Sequence, residues 1–513
     1  MSYFERAGPN ARPGYLIEVQ GLRTAAAVLV AIYHIWLNRV SGGVDVFFVV
    51  AGFFLVAAFE RRAPTGVAYL RDYYATTLRR VLPVAVLVML ATIGVWMFVL
   101  PDVLWDGLAP HAVYTAAFVE NLHLAAISTN YLQPSLASPF QQFWALSLQM
   151  QVYVGLPVLL LLASLAGRLL RIPLQAMLTV ALGLLFAGSL AYSVMRTAES
   201  QPQAYFETGT RLWEFAAGGL LALWSRAISL PKWAASVLGW LGLAGLLLMG
   251  LVVDVSRSFP GIVALLPVGF AAAIIICAQN GGVVHALRNR YVVAFGDYSF
   301  AFYLWHWPLL IATRYLVDSP RLSVIEGVAI LVLAAALAIV TTRLAETPIR
   351  RSHWLSARPW ASVIVGVVLA LVPLAAGLGW YATDRARLAE ARSEVADYVA
   401  APRALGAGEF VPALVLAPRD TPRTCRVRGG SGSKPVQCEF GDRKATRIIA
   451  VVGASHIDQY LPAFDAYGKR EGYKIIAMTK GGVISRRVSA IALAGHGTRR
   501  RSSKSSRCVR RWW

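Results

Sequence analysis

Charge is scarce in this sequence, and acids are scarcest. Only 15% of the 513 residues are charged, and 27 Asp and Glu stand against 49 Lys and Arg. A soluble protein of this length carries about 25% charged residues, so a soluble enzyme, a coiled coil and a disordered chain are poor readings. Cysteine is also sparse: there are four, without zinc-site spacing, and no metal is expected. Cys277 lies in an apolar run and reads as a packing residue.

What is present is hydrophobicity, at 57% of the chain, with a net charge of +22. That balance fits nucleic acid, a membrane surface, or the basic loops of an integral membrane protein. The apolar runs select the last, because a bilayer span needs about 20 apolar residues whose backbone groups pair inside the helix. About eleven such stretches occur, at 16–37, 44–60, 82–100, 141–165, 173–195, 211–225, 233–252, 260–277, 298–317, 323–343 and 360–381. The first holds Arg23 and His34 and leads directly into another span, so it is not read as a cleaved signal peptide. An all-α polytopic membrane protein is the expected fold class, with about ten core spans plus one extra.

Loop charges set the orientation, since Lys and Arg are retained in the cytoplasm. With the N-terminus inside, the inner loops carry Arg61, Arg62, Arg71, Arg79 and Arg80, then Arg168, Arg171, Arg226, Lys232, Arg288 and Arg290, and finally Arg343, Arg350, Arg351 and Arg358. The outer loop 101–142 holds Asp102, Asp106 and Glu120 and no Lys or Arg. An odd number of spans places everything after about Tyr381 outside, in a plasma-membrane protein.

Beyond that point the sequence changes character. Residues 384–405 are charged and Ala-rich and read as a helical stalk, followed by Pro, Gly and Ser through 433. Strand patterns at 447–452 and 473–478 flank a turn at 453–456 and a helix at 457–469, the opening of an extracytoplasmic α/β domain. An exported segment is where a disulfide persists, and Cys425 with Cys438 is the expected pair. From Gly481 onward nine Arg and Lys occur between Arg486 and Arg511, with no acid and no hydrophobic period. This stretch reads as a frameshifted or truncated ending; the alternative is a basic tail binding anionic lipid or nucleic acid.

Ionisable groups within spans are costly, so each is a functional candidate, with buried structural pairing as the alternative. Arg23 and His34 are eleven positions apart; at about 100° per residue both project from one helix face, about 16 Å apart along the axis. Asp45 sits at the outer mouth of the second span, and Arg79 and Arg80 at the cytoplasmic end of the third, where guanidiniums can grip phosphate or simply anchor the helix. Arg211 and Glu214 have ion-pair spacing on one helix, and His306 lies in the aromatic run Tyr303, Trp305 and Trp307.

Taken in order, the Arg23 and His34 pair and the segments GGVDVFFVVAGFF, RRVLP, FWALSLQMQVY, TRLWEFAAGGLLAL, GDYSFAFYLWHWPLL and RLAETPIRR resemble the acyltransferase 3 family of membrane O-acyltransferases over about residues 14–352. The resemblance implies that His34 is the catalytic histidine, with Arg23 orienting the donor, and that Arg79 and Arg80 bind the acyl-coenzyme A donor from the cytoplasm. Asp45, Trp144, Ser147, Gln149, Tyr153, Arg211, Glu214 and His306 would line or brace the cavity. Many members have two carboxylates where this chain has Gln149 and Met150, and Gln cannot serve as a base. The outer region resembles the start of an SGNH hydrolase-like domain, with Ser455 at the nucleophile position and Ala454 in place of Asp; the expected base lies beyond this chain, so an inactive fragment is implied.

The resulting division is a transmembrane acyltransferase domain at 1–352, an extra span at 353–383, a stalk and linker at 384–440, the start of an SGNH-like domain at 441–480 and an aberrant tail at 481–513. The expected activity moves an acyl group, acetyl above all, from acyl-coenzyme A to a hydroxyl of an envelope glycan. The expected partners are the bilayer, that glycan and a separate acyl-accepting protein, with no nucleic acid. The rival readings are a transporter or lipid flippase without acyl chemistry, and an inactive remnant.

Overall fold

The computed structural model describes residues 16–64, 66–99, 105–127, 137–252, 258–317, 319, 321–401, 436–453, 460–479 and 491–494. The chain divides into two compact units, Met1–Ala386 and Arg387–Trp513.

The first unit is helical. Its opening half contains α1 (Ile17–Ile32), α2 (Gly43–Arg62), α3 (Ala68–Val99), the short α4 (Trp105–Ala116) and α5 (Glu120–Ala126), α6 (Phe143–Leu169), α7 (Leu174–Glu199), α8 (Gln201–Phe206) and α9 (Leu212–Trp224). There follow α10 (Lys232–Val252), α11 (Leu265–Gln279), α12 (His285–Arg288), α13 (Arg290–Phe295), α14 (Ser299–Val317), α15 (Val324–Thr341), α16 (Thr347–Arg351), α17 (His353–Ala357) and α18 (Pro359–Ala400). Among the described residues nine helices are long and apolar enough to cross a membrane. Two further expected stretches are helical as well: α9 is short, at 13 residues, and α14 spends much of its length on His306, Arg314 and aromatic residues. The protein is a multi-pass membrane protein.

Two helices open or close in ways that bear on the site. α1 does not stop at Ile32 but continues as a π-helical turn, Tyr33–Leu37, ended by Asn38 in the left-handed conformation at φ 48°. α15 starts on a capping box, in which the Ser323 hydroxyl and the Glu326 carboxylate each take a backbone N–H of the other's residue, and ends in a second π turn, Thr342–Glu346. Such turns are rare and concentrate at functional sites.

The centre of the bundle is built on α1, α2 and α9. A Cβ on Gly52 would lie 2.1 Å from the carbonyl oxygen of Phe215, and one on Gly218 would lie 2.0 Å from that of Val49. α2 and α9 therefore pack backbone to backbone, which only glycine permits, and the Phe48 and Phe215 rings stack beside the crossing at 4.7 Å. α1 is buried along most of its length, with Val19, Leu22, Ala26, Ala27 and Ala31 fully enclosed. α18 merges the extra span and the stalk into one continuous 42-residue helix.

The second unit holds a four-stranded sheet of β1 (Val436–Gly441), β2 (Ile448–Gly453), β3 (Lys474–Thr479) and β4 (Ile491–Ala494) in the order β1-β3-β2-β4. β2 and β3 are parallel and joined through the helix Leu461–Glu471, and Ile449, Val451, Leu461, Ile475 and Ala477 form the core between them. β4 pairs antiparallel with β2. It lies within the stretch whose sequence has no hydrophobic period, because four residues are too few to display one. Ser455 and Cys425 fall outside the described residues; Cys438, on β1, is disulfide-bonded.

Candidate functional site

The polar centre of the first unit forms where the π turn of α1 meets α14. His34, 6% exposed, and His306, fully enclosed, sit with Nδ1 of the first 3.0 Å from Nε2 of the second. The His306 Nδ1 lies 2.5 Å from the Tyr303 carbonyl oxygen. A carbonyl can only accept, so His306 Nδ1 carries the hydrogen. Its Nε2 in the neutral ring is then the acceptor, His34 Nδ1–H is the donor, and His34 keeps its lone pair on Nε2. This is the arrangement by which a carboxylate orients the histidine of a hydrolase triad, with a neutral imidazole in the carboxylate's place. Trp307 meets the His34 ring edge-on at 4.9 Å, and the Arg314 Nη2 donates to the His34 backbone oxygen at 3.0 Å.

α14 is held to the segment before α6, so His306 has little freedom. Gln142 Nε2 donates to the Leu304 carbonyl at 3.1 Å, Tyr303 donates back to the Gln142 carbonyl at 3.0 Å, and Trp307 Nε1 donates to the Ser138 carbonyl at 2.9 Å.

Near the other end of α1, Arg23 Nη1 donates to Gln20 Oε1 at 3.0 Å, and Gln20 Nε2 donates to Asp297 at 2.9 Å. Arg23 lies within electrostatic reach of Arg80, Asp297, Tyr153 and Glu346. Glu346 closes the second π turn and pairs with Arg350 at 2.6 Å. Three cations thus face two acids, leaving one positive charge over. Arg80 is exposed, whereas Arg79 donates to the Ser356 hydroxyl of α17 at 2.5 Å. Gln149 donates to the Tyr153 hydroxyl at 2.5 Å, so its amide is engaged with the tyrosine one turn on.

Asp45, Arg211 and Glu214 form a third group. Arg211 Nη1 reaches Asp45 and Glu214 at 2.9 Å each, and all three residues are at most 2% exposed. Trp144, Tyr205 and Phe259 enclose the guanidinium, their ring centres 5.6, 5.0 and 5.0 Å from it. Ser147 is fully buried on α6. These residues brace α2 against α9 in a buried cluster. A cavity of about 270 Å³ lies between α6, α7 and α9, lined by Gln151, Gly155, Leu159, Leu185, Thr208 and Phe215 among others, and none of the sequence-predicted residues lines it.

Several residues absent from the sequence reading belong to these groups. Asp297 and Glu346 lie inside the GDYSF and RLAETP segments, so the signal was there without a side chain singled out. Arg314 had none beyond being a cation in an apolar helix. A separate cluster joins α4 to α5: His111 Nδ1 is 2.5 Å from Glu120 Oε1, and the His123 ring stacks on Tyr114 at 4.1 Å. Burial pushes the Glu120 carboxyl up to about 7, against the pull of His111. Among the described residues no group of three or more His, Cys, Asp and Glu could hold a metal ion.

Comparison with known proteins gives this geometry a context. A protein described as membrane-bound transacylase BcsY of Komagataeibacter xylinus is 28% identical over 306 residues, 58% of this chain and 74% of the relative. O-acetyltransferase OatA of Staphylococcus aureus (strain NCTC 8325 / PS 47) is 24% identical over 367 residues, 68% of this chain and 59% of the relative. A further protein of Staphylococcus aureus (strain MRSA252), described as an O-acetyltransferase, is 26% identical over 381 residues, 70% of this chain and 61% of the relative. The chain thus spans about three fifths of the length of the two staphylococcal relatives. No solved structure matches it. The acyltransferase domain model matches residues 16–343, a range that holds the histidine pair, the Arg211 cluster and Arg23, Arg80 and Asp297 of the Arg23 cluster, and ends just before Glu346 and Arg350. The chain belongs to the acyltransferase 3 family and is a membrane acyltransferase.

Proposed function

We propose that the protein is an O-acetyltransferase that carries an acetyl group from cytoplasmic acyl-coenzyme A to a hydroxyl of an extracytoplasmic envelope glycan. The observation that carries this reading is the hydrogen-bonded order Tyr303 carbonyl, His306, His34, which leaves the basic lone pair on His34 Nε2. His34 Nε2 takes the acceptor hydroxyl proton and returns it to the leaving thiolate. The relatives named O-acetyltransferase support oxygen as the acceptor atom and acetyl as the group.

The donor is held at the other end of α1. Arg23, Arg80 and Arg350 outnumber Asp297 and Glu346, and the surplus charge suits the phosphates of coenzyme A. Arg79 adds a second guanidinium beside Arg80, and the basic loops put this end in the cytoplasm with the N-terminus, leaving the second unit outside. Tyr153, fixed by Gln149, borders the same site. Asp45, Arg211, Glu214, Trp144 and Ser147 hold α2, α6 and α9 in place. The second unit is the beginning of an SGNH-like domain with Ser455 at its nucleophile position and a Cys425–Cys438 disulfide, and a separate protein or the glycan itself receives the acetyl group.

Mass spectrometry of envelope polysaccharide from cells with and without the gene tests this function. The expected result is loss of one O-acetyl ester in the deletion; an ester profile identical in both strains contradicts it.

A further inference from the structure

Arg314 is a cation in the last turn of α14 that neither the sequence motifs nor the donor cluster uses. One of its nitrogens, Nη2, donates to the backbone oxygen of His34, which fixes the guanidinium beside the π turn that carries the imidazole. A second, Nε, is buried and makes no hydrogen bond among the described residues. Among those residues no acid lies within ion-pair distance of it either. A helix C-terminus attracts a cation, but that attraction asks for no buried, unspent N–H. Leaving a buried donor unmatched is costly, and more so when the group is charged. A donor held in that state next to a base is matched when negative charge arrives.

We infer that Arg314 is the oxyanion-stabilising residue of the acyl transfer. The inference rests on the reading of His34 as the proton acceptor. As the acceptor oxygen bonds to the acyl carbonyl carbon, its proton passes to His34 Nε2 and the carbonyl π pair moves onto the carbonyl oxygen. That oxyanion takes the Arg314 Nε–H and the guanidinium charge. When the pair returns, the carbon–sulfur bond breaks, and coenzyme A thiolate leaves and recovers the proton from His34. The ground-state thioester is neutral at this oxygen, so Arg314 acts on turnover and not on donor binding.

The test uses membranes containing the full chain, labelled acetyl-coenzyme A as donor and the endogenous envelope glycan as acceptor. Arg314→Lys keeps a cation and a donor for the His34 carbonyl but lacks Nε–H. Its kcat is expected to fall about 10²- to 10³-fold, the loss typical of one oxyanion donor, with KM for acetyl-coenzyme A within twofold. Arg314→Ala is expected to regain turnover with added ethylguanidinium. A merely structural role would lower the thermal unfolding temperature of detergent-purified Arg314→Lys and give no guanidinium response. If Arg314→Ala does not accumulate, the Lys variant decides alone. Wild-type-like kcat in Arg314→Lys overturns the inference while His34→Ala stays inactive; label transfer by His34→Ala overturns the proton-acceptor reading as well.

Discussion

His34 and His306, 272 residues apart in sequence, share a 3.0 Å contact between Nδ1 and Nε2. The contact makes one histidine the orienting group of the other. His306 receives the His34 Nδ1–H because its own Nδ1–H is committed to the Tyr303 carbonyl.

Removing that acceptor while keeping the volume should disturb turnover more than binding. His306→Leu is expected to lower kcat about 10²- to 10³-fold, the range for a misdirected general base, with KM for the donor little changed. His306→Gln, whose side-chain oxygen reaches near the Nε2 position, should retain more activity than Leu. Steady-state kinetics on the two variants check the order; equal activity of Leu and wild type contradicts it.

The Arg211 cluster is a matter of stability. Arg211→Met leaves Asp45 and Glu214 enclosed without a cation, and breaking a buried ion group in this way costs about 3–5 kcal/mol. Adding Asp45→Asn and Glu214→Gln to it removes the uncompensated charge and should recover most of the loss. Thermal unfolding of the purified proteins in detergent reads both.

The α4–α5 cluster predicts a stability maximum in mildly acidic solution. Glu120 is raised from 4.5 to about 7 by burial, so its contribution is complete below about 4.5 and is lost as the pH climbs through 7. His123 is lowered from 6.5 to about 4, by burial and then by His111, so its contribution is complete above about 6.5 and is lost as the pH falls through 4. Between 4.5 and 6.5 the falling Glu120 limb offsets the rising His123 limb, so the maximum is a shallow plateau over that window; outside it each pH unit is worth less than about 1.4 kcal/mol, because solvent screens the half-exposed His123. Unfolding temperature against pH should show the maximum, and Glu120→Gln should flatten its alkaline side.

The membrane-spanning architecture was legible because a span must show itself as a long apolar run. Arg23, His34, Arg211 and Glu214 were legible for the converse reason, as polar residues inside such runs. The partners were not: Asp45 meets Arg211 across 166 residues, and no local pattern encodes that encounter. The two π turns were equally hidden, since one extra residue in a turn changes the backbone bonding without changing the hydrophobic period. Glu346 and the Arg314 contact with His34 both depend on those turns. β4 was missed because Ile491–Ala494 is too short to alternate visibly among basic neighbours.

The central claim is that His34 moves the proton in acyl transfer, and one measurement reaches it most directly. Membranes carrying wild type or His34→Ala at equal abundance are supplied with labelled acetyl-coenzyme A, and label esterified to envelope glycan is counted over time. The account predicts steady incorporation by wild type and a loss of at least about 10²-fold in the variant. Equal incorporation by the two would contradict it.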